Sequence, residues 1–144
     1  MYRQAHILAD LGENVWVKIP VSNTKREYTY PLIKKLSNEG IKLNITAIFT
    51  KEQTQQVYAS LNPKVNSIIS IFAGRIANAG VDPEEIMQFA TDLASGDENI
   101  ETLWASSREV FNIIQAERCG TDIITLTPAL IKGMKDLGKD LDQY

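Results

Sequence analysis

The sequence predicts an α/β fold with a parallel sheet, built as one domain over residues 1–144. Three observations predict it. Short β-branched segments alternate with segments of helical periodicity, and this alternation favours right-handed crossovers between parallel strands. Hydrophobic residues make up 44% of the chain and charged residues 23%, which is typical of a globular domain. A length of 144 residues suits one buried core and is too short for two.

Five segments have the pattern of strands. Residues 41–50 alternate most clearly: the odd-numbered positions, which include Ala47 and Phe49, form an apolar face, and the even-numbered positions, which include Asn44 and Thr46, form the other face. The predicted strands are Asn14–Pro20, Ile41–Thr50, Ser67–Phe72, Ile100–Ala105 and Asp122–Thr127.

Six segments have the periodicity and the boundary residues of helices. They cover residues 1–11, 28–38, 50–61, a segment that begins at 82, 107–118 and 127–134. The predicted N-caps are, in chain order, Thr50, Asp82, Ser107 and Thr127.

Two architectures fit five strand–helix units. One is a five-stranded doubly wound parallel sheet. The other is part of a (β/α)₈ barrel, whose complete form runs to about 250 residues. Periodicity alone favours the doubly wound sheet, because that fold is complete at this length.

Composition excludes several classes of protein. Fifteen basic residues against eighteen acidic ones give a net charge of −3, so we expect no nucleic-acid partner. No apolar run approaches the roughly 20 residues that span a bilayer, so we expect no membrane association. A single cysteine, Cys119, and a start without the pattern of a secretory signal predict a cytoplasmic location. One histidine, His6, gives no basis for a metal site.

Lys18 is the first candidate for chemistry. It shares a strand face with Trp16, and both faces of a parallel sheet are normally covered. Enclosure lowers the pKa of a lysine and makes it a nucleophile that can form a Schiff base. The alternative is a lysine that reaches solvent from an edge strand. Asn44 and Thr46 lie on the polar face of the next strand, where they contact either substrate and water or bulk solvent.

Two arginines follow neighbouring strands. Arg75 comes directly after the third predicted strand and Arg108 after the fourth. The carboxyl ends of parallel strands are where α/β proteins bind ligands, and the guanidinium fork suits phosphate oxygens. The alternative is that each is an ordinary arginine of a surface loop.

The segments that carry these residues resemble the transaldolase/fructose-6-phosphate aldolase family of class I aldolases. The similar segments are Val15–Ser22, Gly40–Phe49, Phe72–Ile76, Ala105–Arg108 and Gly120–Pro128. The resemblance covers essentially the whole chain. It implies a partial TIM (β/α)₈ barrel that holds about the last five βα units, truncated at its N-terminus by about three strands that carry further catalytic residues of the family.

The resemblance also implies an activity and its residues. The family transfers or cleaves a dihydroxyacetone unit of a ketose phosphate such as fructose 6-phosphate, in carbohydrate metabolism and without a metal or organic cofactor. Lys18 would form the imine, with Thr46 and Asn44 as catalytic partners. Phe72, Arg75, Ser106 and Arg108 would bind the sugar phosphate. Family members that transfer the unit usually carry phenylalanine at the position of Phe72, whereas simple aldolases carry tyrosine.

A second hypothesis comes from a different class. Without the early strands, the chain would be an inactive half-barrel whose sheet edges and apolar interior surface bind a partner or another copy. The same surfaces predict a homo-oligomer.

Overall fold

The computed structural model describes residues 1–143 and arranges them as one parallel sheet flanked by helices. The strands are β1 (Val17–Pro20), β2 (Leu43–Ile48), β3 (Ser67–Ile71), β4 (Ile100–Trp104) and β5 (Ile123–Ile124). The helices are α1 (Tyr2–Ala9), α2 (Tyr30–Asn38), α3 (Lys51–Ser60), α4 (Ala73–Asn78), α5 (Glu84–Ala94), α6 (Phe111–Arg118) and α7 (Pro128–Gly133).

The strands lie side by side in the order in which they occur in the chain, β1-β2-β3-β4-β5, and all the pairs are parallel. A doubly wound sheet reverses its strand order at a switch point, so this sheet is not doubly wound. Sequential parallel order is the order of a (β/α)₈ barrel. The predicted partial barrel is therefore confirmed, and within residues 1–143 the sheet stays open, with β1 and β5 at its edges.

One face of the sheet packs against the helices. Right-handed crossovers that advance one strand at a time place the helices on a single face, and α2, α3 and α5 contact one another in sequence. The apolar residues on this face, among them Val17, Ile45, Ile69 and Trp104, are almost fully buried. Their burial against the helices forms the hydrophobic core. We call the opposite face, which corresponds to the interior of a barrel, the inner face.

The predicted strands and helices are confirmed, with shorter strands than the patterns indicated. Thr50 accepts a hydrogen bond from the Gln53 amide at 3.1 Å and Thr127 accepts one from the Leu130 amide at 3.3 Å, as N-caps do. The helix α4 was not predicted. It is six residues long and follows β3 without a capping side chain, so its sequence carries no start pattern.

Two local predictions are wrong. Ser107 does not cap α6, which begins at Phe111; the Asn112 side chain accepts hydrogen bonds from the amides of Arg108 and Glu109 at 2.8 and 3.2 Å instead. The alternation predicted for residues 41–50 fails at Ala47, whose φ is +59°. The register of β2 against β3 shifts between Ile45 and Ile48, which is the mark of a β-bulge.

The structure contains no helix, within the residues it describes, that is long and apolar enough to cross a membrane.

Candidate functional site

The inner face carries a row of side chains at one level of the sheet. Lys18 is paired in register with Asn44, Asn44 with Ile68, and Ile68 with Glu101. Side chains of register partners in a parallel sheet point to the same face. Lys18 is exposed, so the predicted enclosure of its amine is wrong for the chain described. Its strand lies at the edge of the open sheet, so the structure agrees with the alternative interpretation, a lysine that reaches solvent from an edge strand.

Polar contacts extend this row toward the carboxyl ends of the strands. The Ser70 hydroxyl donates a hydrogen bond to the Asn44 side-chain oxygen at 2.9 Å. Thr46 lies on the same face as Asn44, is only 8% exposed, and its hydroxyl finds no hydrogen-bond partner among the described residues. An unpartnered buried hydroxyl is costly unless a ligand or water satisfies it. Ser70 was missed from the sequence, although its position in alternation with Ile69 and Ile71 could have placed it on this face.

The turn after β3 and the turn after β4 are in close contact. The Gly74 amide donates to the Ala105 carbonyl at 3.3 Å. A Cβ on Gly74 would lie 1.7 Å from the Ser106 carbonyl oxygen and 3.1 Å from Cγ of Arg108. Only glycine permits this approach. Ser106 itself has a φ of +67°, a conformation that L-residues rarely adopt and that functional sites often contain.

This contact places both candidate phosphate ligands at the same edge of the sheet. Arg75 follows Gly74 at the start of α4, and Arg108 has its side chain against Gly74. Both side chains are exposed. The Arg75 guanidinium carbon lies 5.2 Å from the centroid of the Phe72 ring, within the range of a cation–π contact. The structure thus brings Phe72, Arg75, Ser106 and Arg108 to one rim.

The residues together offer three kinds of chemistry. Lys18 supplies an amine, the side chains of Asn44, Thr46 and Ser70 supply hydrogen bonds on the same face, and Arg75 and Arg108 supply positive charge at the carboxyl ends of β3 and β4. Parallel α/β sheets bind ligands at these carboxyl ends. The roles of the individual side chains stay predictions.

Within residues 1–143, neither a group of metal ligands nor the cysteine adds to this rim. The part of the chain that the structure describes has no group of three His, Cys, Asp or Glu side chains that could hold a metal ion. Cys119 is buried at the end of α6, and burial raises the pKa of its thiol, with Glu84 and Asp82 adding to the rise. A raised pKa makes a thiol a poor nucleophile.

Comparison with known proteins gives a consistent result. The family model for transaldolase/fructose-6-phosphate aldolase matches residues 1–143. A probable transaldolase of Chelativorans sp. (strain BNC1) is 32% identical over 136 residues, which cover 93% of this chain and 58% of that protein. A probable transaldolase of Nitrosopumilus maritimus (strain SCM1) is 31% identical over 130 residues, which cover 88% of this chain and 54% of that protein. The chain therefore spans somewhat more than half the length of these relatives.

Proposed function

This chain belongs to the transaldolase/fructose-6-phosphate aldolase family, and from that membership we propose that it carries the lysine and the phosphate-binding residues of a Schiff-base enzyme acting on a ketose phosphate. The proposed substrate is fructose 6-phosphate or a close relative. The proposed reaction is transfer or release of its dihydroxyacetone unit. The observation that supports this proposal most is the shared placement of Lys18, Asn44 and Thr46 on the inner face, below a rim with two arginines.

The proposed chemistry begins at Lys18. Its amine attacks the C2 carbonyl of the ketose, and loss of water gives an iminium ion. A water takes up the proton of the C4 hydroxyl as the C3–C4 bond breaks, and the electron pair of that bond moves into the iminium to form an enamine. The aldose phosphate leaves, and the three-carbon enamine stays on Lys18. Its C3 then attacks the aldehyde of an acceptor or takes up a proton, and either step restores an iminium ion, whose hydrolysis releases the product and returns the amine of Lys18.

Thr46 and Asn44 are proposed to position water and the imine. The Thr46 hydroxyl, which has no hydrogen-bond partner in residues 1–143, can bond a water or a substrate hydroxyl. Ser70 donates to the Asn44 oxygen, which fixes the orientation of that amide and leaves its NH₂ group to donate.

Arg75 and Arg108, with Ser106, are proposed to bind the phosphate at the far end of the sugar. A guanidinium binds a phosphate through two parallel hydrogen bonds, which fix orientation as well as position. The resulting binding energy holds C2 near the amine of Lys18. Phe72 is proposed to form an apolar wall, which favours transfer to an aldehyde over protonation of the enamine by water.

Trapping of the imine tests the proposal. The chain is incubated with fructose 6-phosphate and borohydride, and the reduced adduct is located by peptide mass spectrometry. We expect the label on Lys18 and its loss in Lys18→Arg. A matched control is Lys64→Arg, since Lys64 is an exposed lysine in the α3–β3 connection. Label at another lysine would refute the assignment of Lys18.

A second candidate function is favoured by the open inner face. A groove of about 400 Å³ lies along the free edge of β1, where Ile7 and Leu8 of α1 face Lys18 and Pro20. Ile7 and Leu8 are exposed. In this hypothesis the chain is a non-catalytic half-barrel that binds another copy of itself. Absence of any borohydride adduct, together with self-association, would favour this candidate over catalysis by the chain alone.

A further inference from the structure

We propose that Phe49 is a positioning residue of the phosphate site, which acts through the Phe72 ring to orient the Arg75 guanidinium. The inference rests on the proposed function, because it takes Arg75 as a ligand of the sugar phosphate. Phe49 is not part of the predicted site. Simple alternation would place it with Ile45 on the helix-packed face.

The bulge in β2 is what brings Phe49 to the site. Shifting a strand by one residue moves each following side chain to the opposite face. After Ala47, with its φ of +59°, Ile48 is fully buried on the helix-packed side and pairs with Ile71. Phe49 then points the other way and is 37% exposed. Phe72 likewise follows Ile71, so both rings lie at the ends of neighbouring strands on the same side.

The two rings and the guanidinium form a chain of contacts. Phe49 meets Phe72 edge to face, with ring centroids 5.6 Å apart and an interplanar angle of 70°. This is a preferred geometry for an aromatic pair. The Arg75 guanidinium carbon lies 5.2 Å from the centroid of the Phe72 ring. The orientation of the Phe72 ring therefore depends on Phe49, and the Arg75 guanidinium packs on the Phe72 ring in that orientation.

The backbone amides of both phenylalanines are held by hydrogen bonds. The Phe49 amide donates to the side-chain oxygen of Gln53 in the first turn of α3 at 2.8 Å. The Phe72 amide donates to the Ile48 carbonyl at 3.0 Å. Since neither backbone can shift easily, the ring geometry is set by the side chains alone. Substitution of Phe49 thus changes the support of the Phe72 ring without removing a ligand.

The expected consequence is selective for the phosphate. Loss of the Phe49 ring leaves Phe72 free to rotate and so loosens the ring on which the Arg75 guanidinium packs. An aromatic pair contributes an amount equivalent to about a two- to tenfold change in an equilibrium constant. We expect Phe49→Leu to weaken the binding of inorganic phosphate and of fructose 6-phosphate by that factor. Binding of unphosphorylated fructose should not change.

Nuclear magnetic resonance of the Arg75 side chain tests the coupling directly. A proton over an aromatic ring is shifted upfield, so the Nε–H and Cδ–H signals of Arg75 report its place on Phe72. We expect Phe49→Leu to move these signals toward those of an unstacked arginine, and Phe49→Tyr to retain them. Phe111→Leu is the matched control, because Arg118 lies over the Phe111 ring at 5.0 Å, so that change should move Arg118 and leave Arg75 unaffected.

Each outcome decides the proposal. Unchanged Arg75 signals in a folded Phe49→Leu variant overturn it, as does equal weakening of phosphate binding by Phe111→Leu. If Phe49→Leu does not fold, titration of the parent chain with inorganic phosphate decides instead: the Phe49 ring signals must move together with those of Arg75. If the parent chain binds neither phosphate nor fructose 6-phosphate, the proposed function fails, while the Arg75 signals still test the positioning role.

Discussion

Gly74 sets the spacing between the two turns that carry the arginines. Because a Cβ there would lie 1.7 Å from the Ser106 carbonyl oxygen, Gly74→Ala must push α4 away from the turn after β4. We expect the free energy of unfolding to fall by about 1–3 kcal/mol and phosphate binding to weaken. Urea denaturation and calorimetry with inorganic phosphate measure the two effects. Gly96→Ala is the control, since a Cβ at Gly96 meets nothing within 4 Å; an equal loss in both variants would contradict the prediction.

The sequence could single out the residues whose chemistry is unusual for their position. A lysine within a β-branched strand and arginines directly after strands are visible from local pattern, and the structure places Arg75 and Arg108 at one rim, while their roles stay predictions. Gly74 and Phe49 could not be found in this way, because their importance comes from contacts between segments that are distant in sequence, and neither composition nor periodicity contains such contacts. The alternation of β3 could have placed Ser70 on the inner face, but its hydrogen bond with Asn44 is a contact of the same long-range kind. The exposure of Lys18 depends on what covers the inner face, which is also a property of tertiary structure.

At the level of the elements, the start of α6 is held by a side chain from inside the helix. Asn112 is buried and accepts from the amides of Arg108 and Glu109, whereas the Ser107 hydroxyl has no hydrogen-bond partner within the residues that the structure describes. Asn112→Ala should therefore lower the free energy of unfolding by about 0.5–2 kcal/mol, because it removes the side-chain acceptor of two amides at the start of α6. Ser107→Ala should change it by less than about 0.5 kcal/mol. Thermal or urea unfolding of both variants checks this order; the reverse order would restore Ser107 as the cap.

A hydrogen bond between α3 and the loop before β4 predicts that the free energy of unfolding depends on pH. The Tyr58 hydroxyl of α3 donates to Asp97 in the loop before β4, and this hydrogen bond, with a smaller effect of burial, raises the pKa of Tyr58 above its ordinary value of 10.0. A raised tyrosine pKa contributes stability that is complete below pH 10 and is lost as the pH rises through the raised value. We expect Tyr58→Phe to cost about 1 kcal/mol at pH 7, and the difference from the parent to shrink above pH 10. A difference that is constant up to pH 11 in urea unfolding would contradict this explanation.

Element prediction succeeded where local patterns determine structure and failed where the backbone departs from regularity. Thr50 and Thr127 cap their helices because capping depends on a few adjacent residues. The bulge at Ala47 was not predictable, since alanine has no preference for a positive φ. It is maintained by the burial of Ile48 and the contact of Phe49 with Phe72, which outweigh the local cost. A single such irregularity reversed the faces of the residues that follow it.

For the whole molecule, periodicity established the alternation of strands and helices but not the order of strands in the sheet. Both architectures that we considered contain the same βα units, and they differ only in whether the chain reverses direction across the sheet. Local sequence patterns do not determine which of the two strand orders forms. The family resemblance supplied it, and the sequential order β1 to β5 confirms it.

At the scale of the whole molecule, we predict that copies of the chain associate with one another. The edge of β1 presents unpaired backbone groups within the described sheet, and beside it α1 exposes Ile7 and Leu8. Such an edge next to an apolar surface is a template for pairing with another chain. We expect light scattering to detect oligomers whose mass rises with concentration.

The double substitution Ile7→Lys with Leu8→Lys should shift this equilibrium toward the monomer, because it places two positive charges on the groove beside Lys18. Val81→Lys is the control, since Val81 is equally exposed but lies in the connection between α4 and α5. A parent chain that is monomeric at all concentrations would rule out self-association. Equal dissociation by both variants would place the contact elsewhere on the molecule. Dissociation by the α1 variant alone, with the Lys18 adduct unchanged, would separate the associating surface from the proposed chemistry.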